Sequence, residues 1–241
     1  MIDFHTHIIP GIDDGSHNVE ESVQMLKMSY AQGIDTVVLT SHFRLGEHKI
    51  KSWLKQRTEN LEKVFDSMTE VERRHIPKMV LASEIEYTAG MNRWDYLDEL
   101  VIKGTEFIMT EMPFMPWTEQ VIKTIDDIAL NSPFTPIIPH IDRYMHTFTK
   151  MEYIEHFYDM PVIIQMNAIY INGVANVQFF KPMLDSGVVD ILGSDCHGKE
   201  WRPQNLGSAI EVVRRVCGQD VLDRIDKKGR EILKNAKYIE F

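Results

Sequence analysis

The feature that most constrains this chain is a regular alternation of short apolar runs with amphipathic stretches of helical period. Strands are expected near residues 2–5, 35–40, 79–86, 106–111, 136–140, 162–167 and 189–195. Helices are expected over 19–32, 47–73, 92–102, 118–129, 150–158, 175–185, 204–216 and 220–235. Repeated strand-then-helix units imply a parallel sheet covered by helices. The strands read as nearly continuous apolar runs, as strands buried on both faces do. Seven such units in 241 residues approach a closed β/α barrel, whose usual size is about 250 residues. An open doubly wound sheet is the alternative. No internal repeat or linker rich in Pro, Gly and Ser interrupts the pattern, so a single domain over 1–241 is expected.

Composition removes several function classes. Lys and Arg number 26 against 36 Asp and Glu, a net charge of −10. An acidic chain is poorly suited to wrapping a nucleic-acid backbone. The longest apolar runs, such as "TVVLT" and "VIIQM", are too short to span a bilayer. The opening "MIDFHTH" has neither a basic region nor a long apolar stretch, so no signal peptide is expected. With two cysteines, Cys196 and Cys217, a disulfide framework is not expected and a reducing cytoplasm fits.

The residues that end the strands carry the functional signal. The first runs into His5 and His7, the second reaches His42, the third Glu84, the fourth Glu111 and the fifth His140. The sixth ends near Asn167, and the seventh delivers Asp195 and His197. In β/α barrels the chemistry sits at these C-terminal ends. The two His of "HTH" are two residues apart, as are Asp195 and His197 in "SDCHG", so each pair faces one way on a strand. Asp14, in the loop "PGIDDGS" after the first strand, lies on the same rim. Turn chemistry suits Asp13 better, although spacing alone does not separate the two. A lone strand-end His is commonly a hydrogen-bonded core residue. The full set instead suits a divalent metal such as Zn, Mn or Fe.

Charge supports several ions. Asp14, Glu84, Glu111 and Asp195 would repel one another, and like-charged carboxylates do not all ionise unless cations neutralise them. Three divalent ions would leave about +2, suited to an anionic guest. A phosphate monoester carries roughly −1.5 to −2 at neutral pH.

The segments "MIDFHTHIIPGIDDG", "TSHF", "SEIEY", "PHIDRY" and "GSDCHG", in this order over nearly the whole chain, resemble the polymerase and histidinol phosphatase (PHP) superfamily. Within it the chain is similar to the bacterial metal-dependent protein-tyrosine phosphatases of capsule and exopolysaccharide loci. The resemblance implies a distorted seven-stranded, TIM-like β/α barrel with three divalent ions, manganese foremost and iron or zinc as alternatives. It places His5, His7, Glu84 and Asp195 on one ion. Glu84 bridges to a second that is also held by Glu111 and His140, and Asp14, His42 and His197 hold the third. Glu86 is a rival to Glu84 on the same strand face. Arg143 of "PHIDRY" and Arg202 of "HGKEWRP" take the phosphate-contacting roles. Ser41 and Phe43 stand where the family more often has Pro and His, and neither departure removes a ligand.

The implied activity is hydrolysis of a phosphate monoester, foremost phosphotyrosine on a protein, by a metal-activated hydroxide. The implied role is regulation of capsular or exopolysaccharide synthesis, with a bacterial tyrosine kinase as the implied partner. The rivals are a small-molecule phosphatase such as the histidinol-phosphate enzymes, a metal-dependent hydrolase of C–N or C–O bonds, and a silent binding protein.

Other residues carry weaker signals. Cys196 and Arg202 have the bare spacing of cysteine-dependent tyrosine phosphatases. Glu200 inside the intervening loop would repel phosphate, so Cys196 reads as a small buried hydrophobe. His48, His75, His146 and His156 lack partner spacing and read as surface or packing residues, and His17, which follows the ligand loop, either lines the cleft or is a residue of the same kind. Phe114, Met115, Pro116 and Trp117 follow Glu111. They form either an aromatic wall against a phenyl ring or a loop packed on the barrel top.

Overall fold

A computed structural model describes residues 1–47, 49–145 and 149–239. His48 and His146 lie outside the described residues. The expected strands appear as nine shorter ones among the described residues: β1 (Ile2–Thr6), β2 (Thr36–Leu39), β3 (His42–Phe43), β4 (Lys78–Leu81), β5 (Glu84–Glu86), β6 (Phe107–Glu111), β7 (Thr135–Ile138), β8 (Ile163–Asn167) and β9 (Ile191–Gly193). All pairs between them are parallel. One sheet has the order β1-β2-β4 and the other the order β3-β5-β6-β7-β8-β9. This is an α/β fold with a curled parallel sheet.

The expected second strand is β2, with β3 following beyond its expected end, and the expected third strand is broken into β4 and β5 for an identifiable reason. Arg57 is buried and must satisfy its guanidinium. Its Nη1 donates to the Ala82 carbonyl at 2.9 Å and to Ser83 Oγ at 3.1 Å. That carbonyl thereby leaves the ladder, and the strand pauses between β4 and β5. Backbone bonds still link the two sheets. Ala82 N–H donates to Leu39 and Glu84 N–H to Thr40, at 2.9 and 3.0 Å. On the other side, Asp195 N–H donates to His5 and His7 N–H to Cys196, at 2.8 and 2.9 Å.

The helices are α1 (Val19–Ala31), α2 (Ile50–Ser67), α3 (Glu70–Arg73), α4 (Glu119–Asn131), α5 (Ile141–Tyr144), α6 (Met151–His156), α7 (Ala168–Asn172), α8 (Val177–Ser186), α9 (Leu206–Val216) and α10 (Gln219–Ile232). The helix expected over 47–73 is two helices. Met68 is extended, and Thr69 and Glu72 then form a reciprocal capping box that starts α3. The helix expected over 92–102 is instead two short 3₁₀ turns, Met91–Arg93 and Leu97–Glu99. Trp94 and Tyr96 between them stack at 5.2 Å and both meet Phe43 edge-on at 6.3 Å. In a helix residues two apart point to different sides, so this ring stacking belongs with the turn that stands in place of the helix. No helix among the described residues is long and apolar enough to cross a membrane.

The core has two parts. The larger lies between the sheet and the outer helices and includes Cys196. The smaller contains Ile2 and Phe4 of β1, Val38, Val80, Ala82, Met109, Ile137, Ile163 and Ile191, together with Ile232 and Leu233 at the end of α10. All the strands but β3 and β5 thus send an apolar side chain to one shared interior, which α10 closes from below. Gly229 of α10 touches this plug: a Cβ there would lie 2.8 Å from Phe4 Cε2, a ring atom with no room to retreat. Alanine ordinarily improves a helix by up to about 1 kcal/mol over glycine. Here Gly229→Ala is expected to destabilise the fold instead, by about 1–3 kcal/mol, through overpacking. Chemical denaturation would register this as a lower midpoint at unchanged slope.

Candidate metal centre

The candidate ligands lie directly above the inner apolar residues on the same strand faces. Val38 leads by alternation to Thr40 and His42, Ala82 to Glu84, Met109 to Glu111, and Ile163 to Gln165 and Asn167. In β1 the register shifts between Asp3 and Thr6. Phe4 and His5 are consequently both directed inward, and His7 follows His5 to the same side.

Glu84 is the hub, buried at 1% exposure. Its Oε2 lies 3.0 Å from His5 Nε2, 3.3 Å from His7 Nε2 and 3.2 Å from His42 Nδ1, and its Oε1 lies 2.9 Å from His140 Nε2. Glu111 stands 3.6 Å from His140 and 3.8 Å from His42. Asp195 Oδ1 is 3.7 Å from His5, 3.6 Å from His7 and 3.5 Å from His197. Asp14 Oδ1 lies 3.5 Å from His42 and 3.7 Å from His197. All nine candidate ligands therefore converge. Donor atoms that could share an ion form three sets: His5, His7 and Glu84; His42, Glu84 and Glu111; and His7, Asp14, His42 and His197. His7 and His42 each belong to two sets, and His140 and Asp195 to none, whereas the resemblance placed each of the four on one ion.

Two alternatives left open by the sequence are separated by position. Asp13 accepts from His7 Nδ1–H at 2.9 Å, from His42 N–H at 2.9 Å and from Gly15 N–H at 3.0 Å. It thus orients ligands while Asp14 faces the cluster. Only glycine fits at 15, because a Cβ would lie 2.3 Å from the His7 carbonyl oxygen. Glu86 is half-exposed and pairs with Arg44 at 3.7 Å, away from the hub.

The donor set fits divalent cations. His5 Nδ1–H donates to Gln165 Oε1 at 3.2 Å and His7 Nδ1–H to Asp13, so in the neutral form of the rings, the form that binds a metal, both Nε2 atoms are acceptors. These two atoms face each other at 3.1 Å beside an oxygen of Glu84. Three acceptors converging in a buried space need a positive charge between them. His42 Nδ1 is also buried, without a hydrogen-bond partner among the described residues. Ionisation follows the same demand for positive charge: against burial, the carboxylates of Asp13 and Glu84 hold His7 up at about 10, and those of Glu84 and Asp195 raise His5. Burial and the charge on Glu84 push Glu111 up to about 8. Burial and neighbouring cationic groups pull His42 down to about 4 and His197 to about 2. Burial opposes ionisation of Glu84, yet His5 and His42 hold it well below the usual carboxylate range.

At the rim, Arg143 and Arg202 both pair with Asp195 Oδ2, and Asn167 Nδ2 donates to the same oxygen at 2.9 Å. Arg202 Nη1 also lies 3.2 Å from His197 Nε2. His140, Asp195 and Arg202 are the non-glycine residues with left-handed backbone among those described, at φ 35°, 54° and 47°. Such conformations cost about 1–3 kcal/mol each and concentrate at functional sites. Cys196 is buried, and burial pushes its thiol up, the opposite of what a nucleophilic thiolate needs. His17 uses its backbone amide on Glu21, His75 bonds the Val71 carbonyl and His156 pairs with Asp126.

The sequence reading missed Gln165. Its Oε1 accepts from both His5 Nδ1–H and His140 N–H, and its Nε2 donates to Asn167 at 3.0 Å. It therefore ties two candidate ligands to the Asn167 that holds Asp195. The available signal was a polar residue at an inward position in "IIQMN". Partners of this kind commonly matter about 10–100-fold for metal affinity. Gln165→Leu is expected to weaken metal retention by that order while the melting transition stays cooperative. Metal titration of the purified variant against wild type measures this.

The chain matches the family model described as capsular polysaccharide synthesis, CpsB/CapC, over residues 1–234. It is 26% identical over 246 residues to the tyrosine-protein phosphatase CpsB of Streptococcus agalactiae serotype III strain NEM316, covering 98% of this chain and 99% of that one. It is 22% identical over 241 residues to the tyrosine-protein phosphatase YwqE of Bacillus subtilis, covering 98% and 92%. Among solved structures it superposes on one described under YwqE from B. subtilis and CpsB from Streptococcus pneumoniae as unique metal-dependent tyrosine phosphatases. The TM-score is 0.79 at 20% identity, over 98% of this chain and 96% of that chain. A mutant organophosphorus hydrolase shares the fold at a TM-score of 0.53 and 13% identity, over 96% and 92%. Matched along nearly its whole length, the chain belongs to the CpsB/CapC family of capsular polysaccharide synthesis.

Proposed function

We propose that this protein is a metal-dependent phosphomonoesterase that removes phosphate from tyrosine side chains of proteins. The observation that carries the reading is the convergence of imidazole and carboxylate acceptors on Glu84 with two guanidinium groups at the rim. The full-length relatives named tyrosine-protein phosphatases give the reaction class. We assign three ions, foremost manganese: one on His5, His7, Glu84 and Asp195, one on Glu84, Glu111 and His140, and one on Asp14, His42 and His197. The distances between these groups support the assignment. When bound, such ions lower the pKa of water and draw charge from a phosphoryl group.

The chain's own residues account for the rest. Arg143 and Arg202 are fixed donors at the mouth, able to grip phosphoryl oxygens with planar forks that lysine lacks. Asp195 and Asn167 hold them in place beforehand, which removes orientation cost from the reaction. A phenolate departs with a pKa near 10. The hydrogen bonds from Ala82, Glu84, Asp195 and His7 to neighbouring segments support counting β2 with β3, and β4 with β5, as single bent strands. The sheet is then a closed, distorted seven-stranded barrel, and residues 1–241 are one domain. A phosphotyrosine protein is the partner, a bacterial tyrosine kinase among the candidates, and the cytoplasm is the compartment.

Two measurements test this. Chelation should abolish hydrolysis of p-nitrophenyl phosphate and of a phosphotyrosine peptide, and added manganese should restore it; activity surviving thorough metal removal would overturn the reading. Arg202→Ala should lower kcat/KM by more than about tenfold, at least about 1.4 kcal/mol of transition-state stabilisation, while elemental analysis finds the metal content unchanged.

A further inference from the structure

We propose that a groove beside Glu111 receives the aryl ring of the substrate, and that Phe114 is the residue that sets a preference for aryl over alkyl phosphates. The inference rests on the phosphomonoesterase reading. A cleft of about 480 Å³ is lined by Glu111 together with Tyr87, Pro113, Phe114, Met115 and Val121, within the about 300–1,000 Å³ of small-molecule sites. Glu111 belongs to both the groove and the candidate centre, so the groove adjoins the centre. The charged groups lining the groove are the carboxylates of Glu86 and Glu111. They repel a phosphate, which is left to the guanidinium groups at the rim, and what enters the groove is the uncharged part of the ester.

Phe114 is placed to meet that part. Its ring is 53% exposed, yet it is not loose. It stacks on His140 at 5.6 Å and 27°, meets Tyr144 at 5.5 Å, and carries the Arg143 guanidinium at 6.0 Å from its centroid. One open face thus stands next to both a candidate metal ligand and a candidate phosphate donor. Its loop is pinned on both sides. Met112 N–H donates to the Tyr144 hydroxyl at 2.8 Å, and Trp117 Nε1–H to the Pro113 carbonyl at 3.0 Å, with Trp117 buried against Tyr144. A preset aromatic face of this kind holds a flat ring at little entropic cost. Trp201, another exposed aromatic at the rim among the described residues, stands edge-on to His197 at 5.6 Å on the Arg202 side. It is the internal comparison.

The experiment uses the manganese-loaded full chain. Dissociation constants are measured for phenylphosphonate and methylphosphonate, and kcat/KM for p-nitrophenyl phosphate and β-glycerophosphate. Phe114→Ala is expected to weaken phenylphosphonate and lower the aryl rate about five- to tenfold, the size of an aromatic contact. It should leave methylphosphonate binding, the alkyl rate and metal content as in wild type. Phe114→Tyr should restore the preference, and Trp201→Ala should leave the aryl-to-alkyl ratio unchanged. Equal losses on both classes, or a ratio that follows Trp201 rather than Phe114, would overturn the assignment and leave the phosphomonoesterase reading standing. A wild-type protein that hydrolyses neither ester would remove that reading and this inference with it.

Discussion

The structure depends on one buried carboxylate. Glu84 sits at the centre of the interior among four imidazoles, in a place where an unpaired charge would cost several kcal/mol. Three strand ends, those of β1, β3 and β7, must bring His5, His7, His42 and His140 within about hydrogen-bonding reach of it. A slip of any of these strands by one residue would turn its ligand outward and leave Glu84 short of a partner. The charge balance of the centre therefore also specifies register, alongside the apolar plug beneath it.

The same interior serves two purposes because side chains on a strand repeat every second residue. The lower layer is apolar and sealed by α10, and the upper layer, one repeat further along each strand, is polar. Stability and chemistry are thus assigned to opposite ends of the same faces, as in β/α barrels generally. The exception is β1, where the register shift directs Phe4 and His5 to one side. Without that irregularity "HTH" would face away from the residues that Phe4 packs with.

Strain is concentrated where the chain leaves the sheet for the site. His140, Asp195 and Arg202 adopt left-handed backbone, where glycine would be comfortable but would supply no ligand and no guanidinium. The surrounding bonds hold them there: His140 N–H on Gln165, Asp195 N–H on His5, and His197 N–H on the Arg202 carbonyl. Metal binding and backbone strain are consequently linked through Gln165 and β1.

The sequence by itself determined the alternation of strand and helix, the strand-end positions of eight candidate ligands with Asp14 in the loop after the first strand, and the acidic balance that calls for cations. These are local properties, carried by period-two and period-3.6 patterns and by residue type. Tertiary structure decided what patterns do not encode. Arg57, from α2, took a carbonyl from the sheet and split the third strand. Trp94 and Tyr96 stack and meet Phe43 from a turn, which took the place of a helix. Asp13 was drawn to the His7 and His42 side, Asp14 was left facing the cluster, and Gln165 became the link between His5 and His140. Each of these outcomes depends on a partner distant in sequence, and on burial that leaves a polar group or an aromatic ring one way to be satisfied.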